Sequence, residues 1–134
     1  MKPIPSAIII ITIVALYSLI ALVSCEGAEI DEKQAIRAIV GEASNQGYEG
    51  MLAVACGIRN RGTLKGVYGL KAKHTDKEPK WVFKKAKKAW RESETNRIHT
   101  GTHWENIKAF GTPYWVKDMI EVYRVKDHIF YKRR

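Results

Sequence analysis

The feature that most limits the fold of this 134-residue chain is an uncharged apolar run near its start. Residues 7–24 contain no charged residue, no Gly and no Pro, and Lys2 precedes them. A run of about 18 residues is longer than the usual core of a signal peptide and just long enough to cross a hydrocarbon layer of roughly 30 Å. About 109 residues then remain to fold, which is enough for one compact core but not for two.

The apolar run ends in Leu22-Val-Ser-Cys25, which resembles the bacterial lipobox, in which the cysteine is lipidated and becomes the mature N-terminus. We therefore predict that residues 1–25 are either a signal peptide with lipidation at Cys25 or an uncleaved membrane anchor. Residues 26–30 are predicted to be a tether and residues 31–134 the folded domain. Both alternatives export the domain and hold it at the membrane, facing the periplasm or cell wall.

The exported part is strongly basic, with 22 basic and 14 acidic residues from position 26 onward and a net charge of +8. Such a charge favours a polyanionic partner. Nucleic acid, anionic lipid and the acidic cell wall all have the required charge, and the predicted export argues against nucleic acid. We expect peptidoglycan and the membrane to be the partners, and a monomeric chain.

Two amphipathic helices are predicted in the first half of the domain. Asp31 followed three residues later by Gln34 is close to a capping box, and the apolar stripe behind it runs to Ala43. A second helix is predicted over residues 48–61, ended by Gly62.

The second half contains one further helix and a small β element. Residues 62–78 have the composition of a surface loop, and Pro79 is predicted as the first residue of a basic, amphipathic third helix. Residues 96–114 are irregular and rich in Thr, Gly and aromatic residues, which is typical of a site. β-Branched and aromatic residues on both sides of Lys126-Asp127 predict a hairpin.

Several short blocks resemble, in order, the cell-wall hydrolase family typified by spore-cortex-lytic enzymes. They are Ile39-Val-Gly-Glu-Ala43, Tyr48-Glu-Gly50, Ala53-Val-Ala55, Arg59-Asn-Arg61, Gly101-Thr-His-Trp-Glu-Asn106, Ala109-Phe-Gly-Thr-Pro-Tyr-Trp115 and His128-Ile-Phe-Tyr131. Each block alone is weak evidence, but their common order over about 100 residues is hard to obtain by chance.

The resemblance implies a mainly α (α+β) fold: a small lysozyme-like helical domain with a short C-terminal β element, after the N-terminal hydrophobic export segment. It also implies cleavage between N-acetylmuramic acid and N-acetylglucosamine in peptidoglycan, usually as a lytic transglycosylase. This activity needs no cofactor.

Glu42 matches the helical glutamate of that family in its Gly-Glu-Ala setting. A carboxylic acid works as a general acid near neutral pH only if its surroundings raise its pKa, and partial burial against apolar groups does this. Glu42 lies beside the apolar stripe of the first helix. We expect it to protonate the glycosidic oxygen and then, as a carboxylate, to accept a proton. The alternative is a solvated glutamate at a helix end.

The source of the returned proton distinguishes two activities. A proton from the 6-hydroxyl of the sugar gives a 1,6-anhydro product, whereas a proton from water makes the enzyme a muramidase. A second carboxylate would favour hydrolysis, and the candidates are Glu105 and Glu49. The alternative for Glu49 is a structural role, because the helix dipole favours a carboxylate near the start of a helix.

Six residues of the second half are predicted to bind substrate. The resemblance implies that polar residues line the cleft, and aromatic rings stack on the apolar faces of sugar rings. The predicted set is Thr102, His103, Trp104, Glu105, Tyr114 and Trp115.

The histidines and Cys56 offer two other chemistries. His99 and His103, with His74 or His128, could hold a metal, but Gly101 between the first two argues against the helix that this spacing needs, and no metal site is predicted. Cys56 beside a histidine would suit a thiol nucleophile, yet its apolar neighbours predict a buried small residue.

Two functions from other classes remain as alternatives. A non-catalytic, wall-binding lipoprotein would use the same cleft without turnover, and the retained Glu42 argues against it. A basic DNA-binding helical module would explain the charge but not the export segment.

Overall fold

The computed structural model describes residues 29–134. The predicted export segment, Cys25 and residues 26–28 of the tether lie outside the described residues. The described chain is mainly helical and carries a small three-stranded antiparallel sheet, so the coarse prediction of a mixed, helix-rich fold is confirmed. None of the helices between residues 29 and 134 is both long and apolar enough to cross a membrane.

The first two helices, α1 (Glu32–Ala43) and α2 (Gly47–Arg61), form where the sequence predicts them. Asp31 caps α1, because its carboxylate accepts a hydrogen bond from the backbone N–H of Gln34 at 2.8 Å. Gly62 ends α2 with a φ of 73°, a left-handed conformation that glycine adopts without strain. Local capping residues therefore determine where α1 begins and where α2 ends.

The third helix, α3 (Lys80–Glu92), packs against α1 and α2 through an apolar stripe that includes Val82, Ala86 and Trp90. The sequence predicts Pro79 as the first helical residue, but the structure places it immediately before the helix. The difference is one position, because the fixed φ of proline is compatible with the N-cap position as well as with the first helical position. The lysines of α3 face outward.

Residues 62–78, predicted as a surface loop, are mostly exposed, but they form two 3₁₀ helices, Tyr68–Lys71 and Lys73–Lys77. The first of them packs on α1 with almost no space between the backbones. A Cβ added to Gly41 would lie 2.0 Å from the carbonyl oxygen of Gly69. The absence of side chains at Gly41 and Gly69 allows this contact.

The second half of the chain forms β1 (His103–Asn106), a short α4 (Ile107–Phe110), a 3₁₀ helix (Tyr114–Asp118), β2 (Met119–Val125) and β3 (His128–Arg133). The prediction of an irregular segment over residues 96–114 is therefore wrong at its centre. The predicted hairpin is confirmed, and Lys126 in its turn has a φ of 46°. The strand order is β1-β3-β2, with a bulge in β2 between Glu121 and Tyr123.

Strand β3 lies at the centre of the sheet and is buried on both faces. Phe130 points into the main core, which α1, α2 and α3 surround. Ile129 and Tyr131 point the other way into a smaller apolar cluster that contains Met119 and contacts Trp115. Because the side chains of a strand alternate between faces, β3 connects the helical core to the segment that carries the predicted aromatic site residues.

Candidate active site

A cavity of about 570 Å³ opens where the end of α1, the Tyr68–Lys71 3₁₀ helix and β1 meet. Five of the predicted site residues line it: Glu42, His103, Trp104, Glu105 and Trp115. These residues are up to 73 positions apart in the chain, and the fold brings them to one place. A concave site with aromatic walls and several ionisable groups is the usual form of a ligand-binding pocket.

Glu42 is held by one hydrogen bond at each carboxylate oxygen. The backbone N–H of Gly69 donates to Oε1 at 2.7 Å, and the indole N–H of Trp104 donates to Oε2 at 3.2 Å. The donors come from two different segments, so the carboxylate is clamped between the 3₁₀ helix and β1. Such fixed orientation is what a group that transfers a proton requires.

The position of Trp104 depends on a glycine of α2. A Cβ added to Gly57 would lie 2.7 Å from a ring carbon of Trp104, so only glycine leaves room for the indole. The guanidinium of Arg61 lies 5.6 Å from the centre of the same ring, within the range of a cation–π interaction. Gly57 therefore determines indirectly how Glu42 is oriented.

Burial lowers the pKa of two residues that line the cavity, Arg61 and His103. Burial lowers the pKa of Arg61, and the negative charge of Glu42 partly opposes this shift. Burial also lowers the pKa of His103, as do the positive charges of Arg61 and Arg133. His103 is thus favoured as a neutral imidazole, and its Nδ1 lies 2.9 Å from the hydroxyl of Thr102.

Two predicted substrate-binding residues do not line the cavity. Thr102 donates its backbone N–H to the carbonyl of Tyr131, and its hydroxyl lies against His103, which does line the cavity. Tyr114 is 84% exposed and lies away from the lining. Trp115 does line it, with its ring 5.5 Å from that of His103.

The two candidate second carboxylates are separated by the fold. Glu105 lines the cavity, and its Oε1 accepts a hydrogen bond from the adjacent backbone N–H of Asn106 at 2.9 Å. Glu49 is outside the lining, and the hydroxyl of Tyr123 donates to it. Burial and this contact with Glu49 raise the pKa of Tyr123 to about 12. Glu105 is therefore the carboxylate that shares a cavity with Glu42.

The Arg59-Asn-Arg61 block is mostly structural. The guanidinium of Arg59 lies 3.7 Å from the ring centre of Trp90 and donates to the hydroxyl of Ser93. The amide of Asn60 donates to the carbonyls of His99 and Gly101. Arg61 lines the cavity.

Two aromatic residues of the cavity were missed by sequence reasoning. Tyr68 is 85% exposed and Phe110 is 78% exposed, and both line the cavity. Exposed apolar surface that borders a cavity is a feature of ligand-binding grooves. A signal existed for Tyr68, an aromatic residue between Gly66 and Gly69 in a predicted loop, but nothing in the sequence placed it next to Glu42.

The histidines and the cysteine occupy three different environments. His74, His103 and His128 line the cavity, whereas His99 is buried elsewhere in the core. No three potential metal-ligating side chains among residues 29–134 lie close enough to hold an ion. Cys56 is fully buried as predicted, burial raises the pKa of its thiol, and the thiol donates to the carbonyl of Asn96.

Acidification is expected to destabilise the domain through its buried histidines. The backbone N–H of Gly101 donates to Nδ1 of His99, so the ring proton must be on Nε2, which lies 2.7 Å from the carbonyl oxygen of Ala53. Burial lowers the pKa of His99 and of His128. Below the ordinary histidine pKa of about 6.5, the unfolded chain therefore binds protons that the folded chain does not.

The free energy of unfolding should accordingly fall as the pH drops below about 6.5, by up to about 1.4 kcal/mol per pH unit for each such histidine. Denaturant titrations at pH 7.5 and pH 5.5 measure this loss, and His99→Gln should reduce it. An equal free energy of unfolding at the two pH values would contradict the prediction.

The chain matches no known family model, no curated protein and no solved structure. We therefore infer the function from the residues of the cavity.

Proposed function

We propose that this chain cleaves the glycan strand of peptidoglycan between N-acetylmuramic acid and N-acetylglucosamine as a lytic transglycosylase of lysozyme-like fold, with Glu42 as general acid and base. The observation that carries the proposal is the clamped Glu42 carboxylate, which lines a cavity and receives hydrogen bonds from Gly69 and Trp104. A single positioned carboxylic acid is sufficient for the intramolecular reaction.

In the proposed reaction, protonated Glu42 donates its proton to the glycosidic oxygen while positive charge develops at the anomeric carbon of the muramic acid. The bond between that carbon and the glycosidic oxygen breaks. The 6-hydroxyl oxygen of the same sugar then bonds to the anomeric carbon, and its proton passes to the Glu42 carboxylate. Oε2 is the better proton carrier, because its hydrogen bond to Trp104 is the longer of the two and easier for substrate to displace.

The walls of the cavity suit a polysaccharide. The exposed rings of Tyr68 and Phe110 offer flat apolar surfaces for pyranose rings, and the half-buried ring of Trp115 adds a third. Asn45 and Asn106 add amide groups that donate and accept hydrogen bonds. His103, whose neutral form is favoured, can also donate one hydrogen bond and accept another.

Hydrolysis by the same site is the second candidate, favoured by the position of Glu105 on the lining. A carboxylate there would activate a water molecule as the nucleophile, and the product would be a reducing sugar. The two activities use the same acid and differ only in which oxygen attacks.

The proposed location is the outer face of the membrane, with residues 1–25 as the anchor through lipidated Cys25 or an uncleaved span. This arrangement gives the domain access to peptidoglycan and is a proposal from the sequence of the N-terminal run.

Mass spectrometry of the fragments that the full chain releases from purified peptidoglycan, in a non-ionic detergent, tests the proposal. Anhydromuropeptides, lighter by one water molecule than the hydrolytic products, are expected from the wild type and absent with Glu42→Gln. Reducing-end products would replace the transglycosylase with a muramidase. A wild type that sediments with peptidoglycan but releases nothing would replace the enzyme with a binding protein.

A further inference from the structure

Helix α3 presents a surface that the proposed activity does not use. Every side chain that this helix leaves exposed is basic except one: Lys80, Lys84, Lys87, Lys88 and Arg91 are the basic ones, and Trp81 is the exception. We call these six residues the α3 basic face. They share one side of the helix, opposite the stripe that packs on α1 and α2.

The charge of this face is almost unpaired. Among residues 29–134, its one ion pair joins Arg91 to Glu32, and both side chains remain well exposed to solvent. No carboxylate among residues 29–134 lies within 4.0 Å of the lysines of the face. The face therefore presents a concentrated positive potential to any neighbouring surface.

Trp81 gives the face a second property. Its side chain is 61% exposed, and the ammonium of Lys85 lies 5.1 Å from its ring centre. Because the indole of Trp81 is exposed among lysines, it does not contribute to the hydrophobic core of this domain. Tryptophan next to basic residues is characteristic of helices that lie in the headgroup layer of a bilayer.

The chain also enters the domain beside this face. Asp31, at the start of α1, lines the same groove as Lys87 and Arg91. The apolar run ends at Ser24, about seven residues earlier, which is a reach of roughly 25 Å even when fully extended. An N-terminal segment held in a membrane would keep the α3 basic face close to it.

We propose that the α3 basic face binds the surface of a bilayer containing anionic phospholipid, with the lysines at the headgroup phosphates and Trp81 inserted between headgroups. Charge complementarity, the exposed indole and the nearby chain entry favour a bilayer over an anionic wall polymer, which would need no inserted ring. The inference does not depend on glycan cleavage, because the face lies outside the cavity.

The test uses the full chain in lipid nanodiscs made from phosphatidylcholine alone or with added phosphatidylglycerol. Brominated phosphatidylcholine in both quenches tryptophan emission on contact, and Trp81→Phe isolates the contribution of Trp81. We expect this emission to be quenched in the discs with phosphatidylglycerol, much less in those without it, and less as salt concentration rises.

The variant Lys84→Glu/Lys87→Glu/Lys88→Glu should remove this contact. Its control is Lys108→Glu/Lys117→Glu/Lys132→Glu, which makes the same change of net charge in other elements of the fold. Each lysine near an anionic surface contributes roughly fivefold to binding, so three contribute on the order of a hundredfold. The milder Lys84→Gln/Lys87→Gln/Lys88→Gln variant and circular dichroism guard against a folding defect.

Equal quenching in the two kinds of disc, or equal loss in both Glu variants, would overturn the inference. So would an α3 variant that keeps its bilayer contact but no longer binds purified anionic wall polymer, because the occupant would then be the polymer. Glycan cleavage in detergent, measured on the same proteins, reports separately on the proposed activity.

Discussion

Replacing Glu42 with Gln is expected to lower the rate of glycan cleavage by roughly 10²- to 10⁴-fold, the usual contribution of general acid–base catalysis. The amide cannot donate an acidic proton to the glycosidic oxygen. Its oxygen can still accept the hydrogen bond from Gly69, but its NH₂ group then faces the indole N–H of Trp104, so that bond is lost. Release of soluble muropeptides over time measures the rate.

Glu105→Gln provides the matched comparison, because Glu105 lines the same cavity. A transglycosylase needs no second carboxylate and should keep most of its activity in this variant, whereas a muramidase should lose it. Wild-type rates in the Glu42→Gln protein, with its fold verified by circular dichroism, would exclude Glu42 as the acid.

Gly41→Ala is expected to destabilise the domain by about 3 kcal/mol, since the new Cβ has no space. It would lie 2.0 Å from the carbonyl oxygen of Gly69, and backbone cannot yield as a side chain does. Alanine favours a helix over glycine by at most about 1 kcal/mol, which does not offset the overlap. Separating α1 from the 3₁₀ helix would also remove the Gly69 hydrogen bond to Glu42, so cleavage should fall with stability.

Gly62→Ala is the control for this substitution. Gly62 has a φ of 73°, but the space around its Cβ position is open. The substitution should therefore lower the free energy of unfolding only through backbone strain, by about 1 kcal/mol. Denaturation followed by circular dichroism compares the two variants. A cost at Gly41 no greater than the cost at Gly62 would show that the close contact is not required.

The sequence predicted those parts of the fold that depend on neighbours along the chain. Asp31 and Gln34 interact three residues apart, Gly62 ends its helix by its own conformation, and Lys126 forms a turn between adjacent strands. Local signals of this kind can be recognised without knowing the rest of the structure.

The parts that were predicted incorrectly depend on distant partners. Strand β1 exists because Trp104 and its neighbours pair with β3, more than 20 residues later. The Tyr68–Lys71 3₁₀ helix is held against α1 by the contact between Gly41 and Gly69, which no periodicity indicates.

The candidate site also combines features that local sequence predicts with features that depend on distant partners. Motif blocks identified Glu42 and the segment containing Trp104, but they did not indicate that the Trp104 indole donates to Glu42. Exposure does not separate Tyr68, which is 85% exposed and lines the cavity, from Tyr114, which is 84% exposed and does not line it. Both are exposed tyrosines near glycines or prolines in the sequence, so only the three-dimensional path of the chain distinguishes them.

The strand order has a consequence for how copies of this chain behave at high concentration. β3 pairs with a strand on each side, so within the part of the chain that the structure describes β1 and β2 form the edges of the sheet. β1 has four residues, and β2 is interrupted by its bulge and carries the Glu121–Arg124 pair beside it. Short, bulged and charged edges are poor templates for a strand from another molecule. We expect this sheet to resist intermolecular strand pairing, and therefore amyloid-like aggregation, even where a membrane crowds many copies together.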